Sequence, residues 1–111
     1  MRYVDLKTPR PAAGQEALVA RLVRHLEARL KDFGPGGPEV LQADQESGLV
    51  AARFPGHDPA QLLARLEQEC GVLAVPEHDR AVFRLSPDTR FEDLDYVWGC
   101  LFELLWPEEE R

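Results

Sequence analysis

The sequence predicts an α+β fold, a two-layer sandwich with a mostly antiparallel four-stranded sheet and its helices on one face. Three observations carry that expectation. Three stretches repeat apolar residues at spacings of three and four, the period of amphipathic helices. Four short stretches between them are rich in apolar residues and bounded by turn formers, as strands are. Their order along the chain, α-β-β-α-β-β-α, brings short strands into antiparallel reach with the helices layered on one side.

Residues 1–13 hold three apolar residues among charges and the breaker pair Pro9 and Pro11, so they are expected as an extended arm. From Gly14 to Asp32, Leu18, Val19, Leu22, Val23, Leu26 and Leu30 mark the buried stripe of a helix. Phe33-Gly-Pro-Gly-Gly-Pro38 stops it, because glycine can take a left-handed cap and proline cannot continue a helix. Glu39–Ala43 and Gly48–Phe54 follow as two strands of a hairpin. After the turn Pro55-Gly-His57, Asp58 offers an N-cap carboxylate, Pro59 fits the first helical position and Gln61 completes the cap pattern. Leu62, Leu63, Leu66 and Cys70 make that helix's stripe, and Gly71 closes it. Val72–Val75 and Ala81–Leu85 read as strands around Pro76-Glu-His-Asp-Arg80, and Thr89 with Glu92 reads as a Thr-x-x-Glu capping box for a last helix. That helix is expected to end near Leu105, before Pro107, so residues 14–106 form one domain and 107–111 an acidic tail. A right-handed crossover leaves room for Ala81–Leu85 beside Gly48–Phe54.

At 111 residues the chain has material for one core and not two. Residues 1–32 carry seven Lys/Arg against four Asp/Glu, and the remaining 79 carry six against sixteen. A head of net +3 therefore precedes a body of net −10. Nucleic acid and anionic membrane are not expected partners of so acidic a body. Arg21, Arg24, Arg29 and Lys31 on the first helix form a solvated face or complement the acidic body, since no aromatic residues interleave them. Cys70 and Cys100 have no second ligand at metal spacing, and the N-terminus lacks the apolar centre of a secretion signal. The chain is therefore expected to be cytoplasmic with reduced cysteines.

The run Gly48-Leu-Val-Ala-Ala-Arg-Phe-Pro-Gly-His-Asp-Pro59, then Gly71-Val-Leu-Ala-Val75, then Val82-Phe-Arg-Leu-Ser-Pro87 and Thr89-Arg-Phe-Glu-Asp-Leu-Asp95, resembles a known series. It is similar to the C-terminal small domain of aminotransferases and cysteine desulfurases, the fold-type-I enzymes dependent on pyridoxal phosphate. The resemblance spans about residues 15–105. In those enzymes the small domain is joined to a large catalytic domain, for which these residues leave no room. The resemblance also implies a role for Arg84, since the arginine at that strand end pairs with the substrate carboxylate. A planar guanidinium can hold a carboxylate through two parallel hydrogen bonds. Strand alternation puts Phe83 and Leu85 on one face and Val82 and Arg84 on the other. The competing reading is a surface arginine paired with Asp88 or Glu92.

Departures from the family are substantial. Cofactor chemistry of this type needs a lysine for the Schiff base, and the only lysines are Lys7 in the arm and Lys31 on a charged helix flank. No cofactor is expected in this chain, no metal site, and no catalytic residue. His25, His57 and His78 are scattered, and Ser47 and Ser86 lie in no nucleophile motif.

The final helix adds one clue. Leu94, Val97, Trp98, Leu101, Phe102, Leu104 and Leu105 cover more of its circumference than one sheet contact needs. Either the first helix covers the second flank, or Leu94, Trp98 and Phe102 form a subunit interface. Three functions follow. One is a stand-alone small domain, non-catalytic and acting by binding. Another is a subunit of a split enzyme contributing Arg84. The third is a ferredoxin-like metabolite-sensing module. The corresponding partners are a second copy, a separate large-domain polypeptide, or a small carboxylate ligand.

Overall fold

Nine elements follow one another in the computed structural model, which describes residues 2–106: β1 Val4–Asp5, α1 Glu16–Lys31, β2 Glu39–Asp44, β3 Leu49–Arg53, α2 Pro59–Cys70, β4 Val72–Leu73, β5 Val75–Glu77, β6 Arg80–Arg84 and α3 Phe91–Leu105. The acidic tail expected over 107–111, and the stop at Pro107, lie outside the described residues. The fold is α+β, with a four-stranded antiparallel sheet in the order β2-β3-β6-β5 and a separate parallel pair, β1-β4. As the crossover requires, β6 lies beside β3, with Val50 opposite Phe83 and Ala52 opposite Ala81.

The helices form where the spacing puts them. On α1, Val19, Leu22, Val23, Leu26 and Leu30 are buried, and on α2 Leu62, Leu63 and Leu66. Asp58 caps α2 by accepting the Gln61 N–H at 3.0 Å, Pro59 opens it, and Gly71 closes it at φ +72°. One cap differs. The N-cap of α3 is Arg90, one residue beyond Thr89, and the Asp93 carboxylate accepts the Arg90 N–H at 3.0 Å. The Thr89 hydroxyl is turned back to the preceding turn instead, where it accepts the Ser86 N–H at 3.1 Å.

Two further differences concern the sheet. The stretch expected as one strand, Val72–Val75, breaks at Ala74 because its halves have different partners. Val72 and Leu73 pair with the arm, and Val75 to Glu77 pair with β6 across the two-residue turn at His78-Asp79. The arm itself is the second difference. It is extended, but it is also part of the fold: Val4 pairs with Val72 and Asp5 with Leu73, and Val4 and Leu6 are buried in the core. The Leu6 N–H donates to the Leu73 carbonyl, and the Arg84 N–H donates to the Leu6 carbonyl. Residues 4–6 thus fill the gap between β4 and the end of β6. Burying Leu6 fully is worth about 1.5–3 kcal/mol.

The core lies on one face of the sheet. Val50 and Ala52 of β3 and Ala81 and Phe83 of β6 face α1, α2 and α3. Ala51 and Val82 point to the opposite face, where no described helix packs. They are buried even so, being short side chains set between longer ones two residues along each strand.

Candidate functional site

Arg84 ends β6 on the sheet face away from the helices, with Leu49 of β3 opposite it and Leu6 of the arm bonded to its backbone N–H at 2.8 Å. Leu49 pairs in turn with Asp44 of β2. Arg84 is half-buried, and among the described residues its guanidinium has no ion pair, hydrogen bond or aromatic contact. The carboxylates that could have claimed it are taken. Asp88 pairs with Arg10 and Glu92 with Arg90. Every other described arginine has a partner: for example, Arg21 lies over the Phe91 ring and Arg24 donates to the Gln45 side-chain oxygen Oε1.

The broad apolar face of α3 is covered mainly from within the chain. Leu94 is fully buried beside α1 and α2, so it cannot belong to an interface as its place on the stripe suggested. Helix α3 lies against both α1 and α2, which uses two flanks of its surface rather than one. Trp98 and Phe102 are half-buried and stack at 5.5 Å. Phe33, just beyond α1, lies on Trp98, Phe102 and Trp106 at centroid distances of 5.6, 6.2 and 5.2 Å. The Arg29 guanidinium covers Trp98 at 4.9 Å, within cation–π range. The Trp98 indole N–H is buried without a partner among the described residues.

The basic face of α1 meets an acidic residue of α3. One oxygen of Asp95 is shared between His25 Nε2 and Arg29 Nε, each at 2.8 Å. The hydrogen bond to His25, and then that to Arg29, hold the Asp95 carboxyl below the usual carboxylate range. Part of the positive charge of the basic N-terminal stretch is therefore used to dock α1 on the acidic body.

Two further clusters were not visible in the sequence. A cleft of about 190 Å³ lies between the arm and the loop before α3, lined by Asp5, Arg10, Ser86, Asp88 and Asp93 among others. Its charges are matched internally: Arg10 bridges Asp5 and Asp88, and Arg2 pairs with Asp93. The second cluster joins the chain's two cysteines, Cys70 at the end of α2 and Cys100 within α3. The Tyr96 hydroxyl donates to the Cys70 carbonyl, and Cys100 lies one turn along α3 from Tyr96. Burial, and then the neighbouring Cys100 thiol, push the Cys70 thiol up to about 12. A thiol held protonated in this way is a poor nucleophile.

The cofactor that the resemblance implies does not fit these residues. Lys31 is exposed and tied to Glu27 at 2.9 Å, and Lys7 is exposed in the arm. Neither sits in the enclosed apolar pocket that Schiff-base chemistry requires. No group of three potential metal ligands occurs among the described residues, and no described helix is long and apolar enough to cross a membrane. No protein-family model matches the chain, and no curated protein matches it.

Proposed function

We propose that this chain is a binding domain of the aminotransferase small-domain type, without catalysis of its own, and that Arg84 is its ligand-facing group. The observation that carries the reading is the Arg84 guanidinium at the end of β6, without a partner among the described residues and half-buried on a sheet face that no described helix covers. On a chain of net charge −7, a guanidinium left without a carboxylate is spare capacity for one. Its planar fork suits a small carboxylate, which it can hold by two parallel bonds. The α+β fold with β6 beside β3 supports the family resemblance, and the two exposed lysines support a non-catalytic role.

Two measurements test this. Mixing the protein with pyridoxal phosphate should give no stoichiometric aldimine absorbance band, and a lysine-dependent band would overturn the non-catalytic reading. Thermal unfolding against a panel of amino and dicarboxylic acids should reveal at least one that raises Tm, because a ligand bound only by the native state stabilises it. Arg84→Gln should abolish that rise. The absence of any rise across the panel counts against the assignment of Arg84.

A further inference from the structure

The arm is joined to the domain by a strained hinge. Residues 7–12 contain Pro9 and Pro11, which fix their own φ at about −65° and push the residues before them, Thr8 and Arg10, toward extended backbone. The chain then reverses sharply into α1. The Gln15 N–H closes a turn onto the Ala12 carbonyl, and Ala13 takes φ +52° ahead of Gly14 at φ +86°. Glycine adopts that region freely, but alanine carries a Cβ that clashes there. The strain therefore sits in the turn that folds the arm back onto its own domain.

The seat of the arm is specific. It offers backbone partners at Gly71, Leu73 and Arg84, and a core site that buries Val4 and Leu6. Charge adds to the match: Arg2 and Arg10 of the basic arm meet Asp93 and Asp88 of the acidic body.

We propose that the arm is an exchangeable strand, and that the partner of this chain is a second copy whose residues 2–6 occupy the same seat. All the contacts just described are remade between copies, while Ala13 relaxes to negative φ as its turn opens. Exchange of an identical element is a low-cost route to a dimer, since it reuses contacts that the monomer already makes, and hinge strain favours it. The closed monomer is retained at low concentration, because a tethered arm is present at its own seat at high effective concentration. This inference does not depend on the role assigned to Arg84.

The test uses the register pair Val4 and Val72. With Cys70 and Cys100 replaced by serine, Val4→Cys and Val72→Cys should crosslink within one chain in the monomer and between chains in the exchanged dimer. Proline cannot hold the positive φ found at position 13, so Ala13→Pro should turn the crosslinked product into covalent dimer at concentrations where the parent gives monomer. In the opposite direction, Ala13→Gly should weaken dimerisation by ~10-fold or more, since glycine removes the left-handed strain from each closed chain. This second variant is scored by light scattering on native-cysteine protein refolded at high concentration, so a poorly folding proline variant does not decide the matter alone. Interchain crosslinks with Ala13→Pro, or a refolded dimer weakened by Ala13→Gly, support exchange. Only intrachain crosslinks, a dimer whose crosslinks stay intrachain, or a strictly monomeric refolded protein overturns it.

Discussion

Gly48 and Leu85 meet backbone to backbone where β3 begins. The Leu85 N–H donates to the Gly48 carbonyl at 2.7 Å, and a Cβ placed on Gly48 would stand 2.5 Å from the Leu85 carbonyl oxygen. Gly48 also has φ +75°, which side chains rarely adopt. Both effects act in one direction, since the obstacle is backbone and the dihedral is unfavourable in itself. Gly48→Ala should therefore destabilise the fold by about 2–4 kcal/mol, a large single-site effect. Denaturant titration would show it as a lower midpoint with unchanged slope. A change below about 0.5 kcal/mol would mean that the β6–α3 loop moves freely away from β3.

The cysteine pair leads to a kinetic expectation. With its thiol pushed up to about 12 by burial and by Cys100, Cys70 has almost no thiolate at neutral pH. Alkylation of the native protein at about pH 7.5 should be slower than that of the urea-unfolded chain by about 100-fold or more. Mass spectrometry of peptides containing Cys70 and Cys100 separates the two sites. Rapid labelling of Cys70 in the folded protein would show that the contact between α2 and α3 opens readily.

Much of this architecture was legible in the sequence, and what was hidden has physical causes. The three helices show because an apolar stripe repeated over several turns leaves little choice of structure. The pairing of β3 with β6 followed from crossover handedness. The strand β1 could not be read, since two residues show no period and its partner β4 is equally short. Thr89 is the better cap by residue preference, but its hydroxyl is directed back to Ser86 in the turn before α3. The site was only partly legible. The family resemblance points to Arg84 as a candidate, but its lack of a partner among the described residues depends on Arg10 and Arg90 capturing the nearby carboxylates. Periodicity shows how wide an apolar face is and not what covers it, so Leu94 reads as an interface residue until the packing is seen. Here α1, α2 and Phe33 cover that face.

The pairing of His25 and Arg29 with Asp95 makes part of the stability depend on pH. The Asp95 carboxyl titrates lower folded than unfolded, owing first to His25 and then to Arg29. Its contribution is therefore complete above the unfolded carboxylate value of about 4, and is lost as pH falls through the lowered folded value. Asp95→Asn should reduce the loss of stability on acidification from about pH 5 to about pH 2, while lowering stability modestly at about pH 7. Asp5, Asp44 and Asp79 are also lowered, so the parent-minus-variant difference in denaturant midpoint is the quantity to follow across pH. A difference that does not vary with pH would mean that Asp95 acts only through packing.

The arm provides the most direct test of what belongs to this domain. Leu6 and Lys7 are adjacent, yet Leu6 is fully buried beside β4 and β6 while Lys7 is exposed. A tethered linker would tolerate alanine at both positions. A strand completing the core would not, because Leu6→Ala leaves a cavity between β4 and β6 that the backbone bonds at Leu73 and Arg84 keep from collapsing. Leu6→Ala should lower unfolding stability by about 2–5 kcal/mol and Lys7→Ala by less than about 0.5 kcal/mol. The loss should appear in the single cooperative transition of the whole domain. If Leu6→Ala instead frees the arm ahead of the main transition, seen as early proteolysis near Lys7 with an unchanged midpoint, then the domain folds without it and β1 is an accessory strand.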